Sequence, residues 1–94
     1  MPSAYLAIGN SDGKLTQREW SEFIKEIDDR VASTATEVHG RWFSAPDDPW
    51  QNACWSLHFK SDERLLAAAR TVVEIRRTYK QESAAWTVAK PVFI

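Results

Sequence analysis

The chain has one cysteine, three glycines, a net charge of −1 and no long apolar run. Each scarcity excludes something. A single cysteine cannot close an internal disulfide, so nothing requires an oxidising compartment. A membrane-spanning helix needs about 18 or more consecutive apolar residues, and no stretch approaches that. The opening MPSAYLAIGNSDGK lacks a basic segment followed by a long apolar one, so no signal peptide is expected and the cytoplasm is the expected location. Sequence-independent nucleic-acid binding rests on clustered Lys and Arg that release phosphate counterions. A near-zero balance makes nucleic acid an unexpected partner. Internal repeats and low-complexity runs are also missing.

What is present suits a small folded domain. Ninety-four residues, 44% hydrophobic and 12% aromatic, predict one domain over 1–94 with a modest core. The chain is best organised around Glu37 to Phe59, which carries three of the five tryptophans, both histidines and the cysteine. It reads as a strand (EVHGRWFS), a loop with two prolines (APDDPWQ) and a second strand (NACWSLHF).

Before that stretch, Tyr5 to Ile8 alternates as a short strand, and GNSDGK supplies turn chemistry. Thr16 and Glu19 then have capping-box spacing, with Leu15 and Trp20 placed for a hydrophobic staple. Trp20, Phe23, Ile24, Ile27 and Val31 form a helical stripe that decays near Ala32. After the central stretch, Ser61 or Asp62 caps a second helix. Its expected buried stripe is Leu65, Leu66, Ala69, Val72, Val73 and Tyr79. The charges of the two helices, acidic on the first and basic at the end of the second, are expected to pair with each other. Ala85 to Ala89 is the last strand, with an extension through Val92 and Phe93 that Pro91 would confine to a sheet edge.

The order β-α-β-β-α-β is the ferredoxin-like split βαβ pattern, an α+β fold. Four antiparallel strands in the order 4-1-3-2 would carry both helices on one face. Strand parity then predicts the two faces. Leu6, Ile8, Val38, Trp42, Ala53, Trp55, Leu57, Phe59, Trp86 and Val88 should meet the helices. Tyr5, Ala7, His39, Arg41, Cys54, Ser56, His58, Thr87 and Ala89 should form an open face, small at its centre and ringed by Tyr5, His39, Arg41 and His58.

Four constellations invite a chemical reading. The run NSDGKLTQRE is similar to a calcium loop, with Gly13 at the turn, Asn10 and Asp12 at ligand positions and Glu19 closing it. The first ligand position is Ile8, however, which cannot bind a cation, and no entering helix fits before it. The same run fails the phosphate-loop pattern, because Leu15 stands where Ser or Thr is needed. Cys54 and His58 share a strand face, but four residues separate their backbones by ~13 Å, too far for one ion or a direct hydrogen bond. Neither metal nor cofactor is expected. Asp48-Pro49-Trp50 fits one helical turn with Asp48 as cap and Trp50 folded back over the core edge. The competing reading is a binding loop anchored by Trp50. Finally, single-stranded RNA readers stack bases on an open sheet. Here parity sends the large aromatics to the helix side, and the aromatic-glycine run of such readers is missing.

The run GRWFSAPDDPWQNACW, with the capped LTQREW helix start, resembles small uncharacterised proteins of actinobacteria and their phages. That resemblance implies a source and no activity. The sequence therefore leads to a small interaction module rather than an enzyme. It is expected to form a homodimer through the open face or an edge strand. The alternative is a small-molecule site or minor enzyme on the same face. The residues to test are Tyr5, His39, Arg41, Cys54, Ser56 and His58, with Trp50 in the loop.

Overall fold

The first helix begins where its capping box begins. In the computed structural model, Thr16 Oγ1 accepts from the Glu19 amide at 3.2 Å, and Glu19 Oε1 accepts from the Thr16 amide at 3.0 Å. Two amides at the helix start, which have no partner within the helix, are thereby satisfied reciprocally. The structure describes residues 2–10, 13–45, 48 and 50–89. Its elements are β1 (Ser3–Gly9), α1 (Gln17–Arg30), a 3-10 turn (Ala32–Thr34), β2 (Glu37–Phe43), β3 (Asn52–His58), α2 (Asp62–Thr78) and β4 (Ala85–Ala89). The proposed extension through Val92 and Phe93 lies outside the described residues, as do Asp12, Asp47 and Pro49.

All four strands join one sheet in the order β2-β3-β1-β4, with every pairing antiparallel. With two helices on one face, this is the ferredoxin-like α+β arrangement that the element order predicts. Strands β1 and β3 are central and in simple register, Leu6 opposite Trp55 and Ala7 opposite Cys54. Strict alternation therefore sends Ala4, Leu6 and Ile8 together with Ala53, Trp55, Leu57 and Phe59 to the helix side, all buried. Helix α1 contributes Trp20, Phe23 and Ile27 to the same core. Burying such side chains stabilises by about 1.5–3 kcal/mol each before entropy is counted.

Helix α2 is capped by Ser61, whose Oγ accepts from the Arg64 amide at 3.2 Å. It buries Leu65, Ala68, Val72 and Ile75, one position round from the expected stripe, and Leu66 is exposed. The run LLAAARTVVEI offers two overlapping stripes at helical spacing. Packing against Phe23, which stacks on Tyr79 with ring centroids 4.9 Å apart, goes with the stripe that ends at Ile75 and Tyr79. Burial, then the carboxylates of Glu26 and Glu22, raises the Tyr79 hydroxyl above the ordinary tyrosine range. The helix ends in a Schellman motif: the Gln81 amide reaches the Arg76 carbonyl and the Lys80 amide the Arg77 carbonyl. Lys80 takes the left-handed position at φ 56°.

The helices pair in both senses: Lys80, just past the end of α2, attracts the Glu19 carboxylate of α1 as expected, and a second pair runs the other way. Arg30 of α1 reaches Glu74 of α2 at 3.1 Å. Arg76 turns instead to the carbonyls of Gln81 and Glu82.

Candidate functional site

The sheet face away from the helices is built from the other parity of each strand. From β1 it takes Ser3, Tyr5 and Ala7; from β3, Cys54, Ser56 and His58; from β4, Ala85, Thr87 and Ala89. Tyr5 lies opposite Ser56 on one side and Thr87 on the other, and Ala7 lies between Cys54 and Ala85. These placements follow the sequence pattern.

Strand β2 does not. Its register against β3 slips between Val38, opposite Leu57, and Gly40, opposite Ser56. His39 is the extra residue of a β-bulge, and every side chain beyond it changes face. Two expectations are overturned as a result. Trp42, expected in the core, lies opposite Cys54 on the open face and is 59% exposed. Arg41, expected on the open rim, lies opposite Trp55 on the helix side. There Asp28 Oδ1 of α1 accepts from Arg41 Nε at 2.9 Å and from Trp55 Nε1 at 2.7 Å. That carboxylate satisfies the indole N–H of a buried tryptophan and draws the arginine away from the open face. Phe43 also moves to the helix side and meets the Trp55 ring edge-on at 5.8 Å.

Gly40 is where the bulged strand needs room. A Cβ built there would stand 2.6 Å from the tip of the Trp42 ring, so the indole lies directly over the glycine. Ser56, opposite Gly40, is only 7% exposed even in the single chain. The centre of the open face is therefore closely covered, while Trp42 and Tyr5, at 47% exposure, project from it. Among the described strand residues, the face carries one formal charge, Glu37, which lies opposite His58.

The two imidazoles meet at one end of this face. Their rings are 5.5 Å apart and edge-on. The Nδ1 of His58 is 2.9 Å from Ser3 Oγ, and the Nδ1 of His39 is 3.7 Å from Glu37 Oε2. Cys54 stands four residues before His58 on the same strand, opposite Trp42, and is partly exposed. Among the described residues, no three His, Cys, Asp or Glu side chains are grouped to hold a metal ion.

Trp50 does not fold back over the core. It is 65% exposed, with its amide donating to Asp48 Oδ1 at 2.8 Å. The loop thus closes through a side-chain turn at Asp48, and the Trp50 carbonyl accepts from Asn52 Nδ2, at the start of β3, at 3.0 Å. The calcium-like run is equally committed to structure. Ile8 is buried in β1. Asn10 is buried too, its Oδ1 accepting from the Leu15 amide and its Nδ2 donating to the Leu15 carbonyl and to Gln51 Oε1. Glu19 serves the helix cap.

Sizeable clefts lie away from the imidazoles. One of about 420 Å³ is at the opposite end of β1, lined by Ala7, Gly9 and the chain from Gln81 to Ala85. Another of about 260 Å³ lies beside the edge strand β2, between Trp20, Ile24 and Phe43. Among the described residues, no helix is long and apolar enough to cross a membrane.

No protein-family model matches the chain, and no curated protein matches it in sequence. Solved structures do match in shape. A protein of Agrobacterium tumefaciens superposes with a TM-score of 0.59 at 17% identity, over 98% of this chain and 94% of that one. A protein of Arabidopsis thaliana gives 0.57 at 19% identity, over 99% and 96%. A third match, described as a dimeric ferredoxin-like protein from an uncultured marine organism, gives 0.50 at 12% identity, over 99% and 90%. At these identities the likeness is one of fold, and the chain has the ferredoxin-like fold along nearly its whole length.

Proposed function

We propose that the chain is a self-associating interaction module whose open sheet face meets the same face of a second copy. The observation that carries this reading is the make-up of the face once the bulge is taken into account. Arg41 leaves it and Trp42 joins it. What remains is small and uncharged at the centre, with Tyr5 and Trp42 standing out. A sheet face kept in water usually carries Lys, Glu and Thr. A subunit contact favours aromatic residues and few charges at its core, and a two-fold pairing lets one patch serve both chains. The dimeric description of one structure with this fold is in keeping with the reading.

Two exposed aromatics on a four-stranded sheet also suit the stacking of RNA bases. That use wants cations along the strand to hold phosphates. The one arginine expected on this face is held by Asp28 on the other side. A small-molecule site fares less well, because neither imidazole lines the clefts described above. We further propose an actinobacterium or one of its phages as the source, on the resemblance of its central run, and the cytoplasm as the location, since a single cysteine requires no oxidising compartment.

Ala7→Lys tests the reading. Ala7 lies on a central strand between Cys54 and Ala85, so a lysine there places a charge mid-face and leaves the helix-side core alone. Sedimentation should show wild type as a dimer at micromolar concentration and the variant as a folded monomer. A wild type that stays monomeric at high micromolar concentration sinks the proposal.

A further inference from the structure

On the helix side of the sheet, away from the open face, the cleft beside edge strand β2 is shaped and lined to hold a ligand. We propose that it binds a neutral, ring-sized apolar molecule carrying a carbonyl oxygen, and that Gln17 donates to that oxygen. The cleft is about 260 Å³. An apolar cavity of about 150 Å³ is enough for benzene, so a ring with a short substituent fits. Trp20, Ile24 and Phe43 form the apolar walls. The bulge in β2 supplies the last of these: it turns Phe43 to the helix side, edge-on to Trp55, where the ring stays 49% exposed. Apolar walls with a few fixed polar groups are the usual make-up of a small-molecule site. Among the described residues, the rest of the lining is serine and glutamine, with no charged side chain. An ionic ligand would give up water there without a counter-charge, so the lining selects a neutral one.

The polar end of the cleft has a fixed direction. The Leu15 amide can only donate, and it donates to Asn10 Oδ1 at 3.0 Å. Asn10 Nδ2 is thereby the donor to Gln51 Oε1 at 3.1 Å. Gln51 Nε2 in turn donates to Gln17 Oε1 at 2.7 Å. Asn10 and Gln51 are both buried, so water competes little for these bonds. The relay ends with the Gln17 carbonyl engaged and its NH2 group left to give. Gln17 is the first residue of α1 and lines the cleft. What this end offers is therefore a donor, and the matching ligand group is an acceptor.

NMR titration of the full chain with acetophenone as the probe tests the site. Millimolar acetophenone should shift the signals of the Trp20 ring and the Gln17 side-chain NH2 and leave those of Trp42 in place. Ethylbenzene, the same ring without the oxygen, should bind roughly fivefold more weakly, as loss of one hydrogen bond implies. Benzoate should shift neither signal. Gln17→Met removes the donor at an exposed position, and the two neutral probes should then bind alike. Ile24→Trp fills the cleft and should abolish the Trp20 shift. Acetophenone that leaves Trp20 unmoved, or that moves Trp42 as far, overturns the site. Benzoate binding as well as acetophenone overturns the neutral ligand. Ethylbenzene binding as well as acetophenone in wild type, or a Gln17→Met chain that keeps the preference, overturns the role of Gln17. The three probes on wild type decide the matter even where a variant fails to fold.

Discussion

The two faces of the sheet are made from the same strands by opposite rules. On the helix side, Leu6, Trp55, Leu57 and Phe59 are fully enclosed. The Trp55 indole N–H there is matched by Asp28. The open side has aromatics of similar size, but Tyr5 and Trp42 stay 47% and 59% exposed. Side chains on the first face stabilise the monomer. Those on the second are available to contribute across a contact, because their apolar surface still faces water. Exposed aromatic area on a neutral face signals a partner more than scattered surface leucines do.

Truncating one tryptophan on each face separates the two rules most strongly. Trp55→Ala should cost about 3–5 kcal/mol in denaturant unfolding, the range for a buried aromatic. Trp42→Ala should cost the monomer less than about 1 kcal/mol, as surface changes usually do, and weaken the dimer instead. Equal losses of monomer stability would erase the distinction between the faces.

The bulge can be tested next. If it puts Arg41 on the helix side, Asp28→Ala should cost about 1–3 kcal/mol, because a buried indole N–H loses its acceptor. Arg41→Ala should cost under about 1 kcal/mol, since it loses only a half-exposed ion pair. Unfolding midpoints for both variants check the order. A larger effect at Arg41 would mean that its charge, not the indole, is the main business of Asp28.

Gly40 sharpens the open side. Gly40→Val pushes the Trp42 indole off the strand and should destabilise by about 1 kcal/mol, the low end for overpacking, because an exposed ring can swing away. Trp42→Ala should relieve most of that cost, which a double-mutant cycle will show. Additive losses would place the two side chains apart.

How much of this was legible in the sequence depends on regularity. Strands β1 and β3 alternate without interruption, so Leu6 and Trp55 could be assigned to the core and Tyr5 and Cys54 to the open face. In β2 one extra residue inverts the parity of all that follow, and the pattern Val38, Gly40, Trp42 looks like clean alternation. Two signs were available. Glycine within a strand often marks a bulge. Val38 and Phe43 are also an odd five residues apart, so both can face the helices only if one residue is surplus. The misplaced stripe on α2 has another cause. A helix apolar on most sides does not choose its own buried face; its neighbours do. Trp50 departs from the pattern because it is fixed through its backbone, by the Asp48 side chain, and its ring is left outside.

The last effect belongs to neither face. Thr16→Ala should cost about 1 kcal/mol through loss of the α1 cap. The hydrogen bonds from the Thr16 backbone and side chain lower the Glu19 carboxyl below its ordinary value. A lowered folded value means stability present above the unfolded value and lost as pH falls through the folded one. The gap between wild type and Thr16→Ala should therefore narrow in acid, which thermal melts at pH 7 and pH 3 will measure. A gap that widens in acid would remove Glu19 from the cap.

The central claim is that a second copy covers the open face, and Cys54 reports on it without any substitution. It is the chain's single thiol, partly exposed on a central strand beside Ala7 and Trp42. Its rate of reaction with a thiol reagent, measured over a protein dilution series, should fall as the sedimenting mass rises to that of a dimer. In Ala7→Lys the rate should stay at the monomer value at all concentrations. A mass that doubles while Cys54 reacts at an unchanged rate would place the contact elsewhere on the molecule and contradict the account.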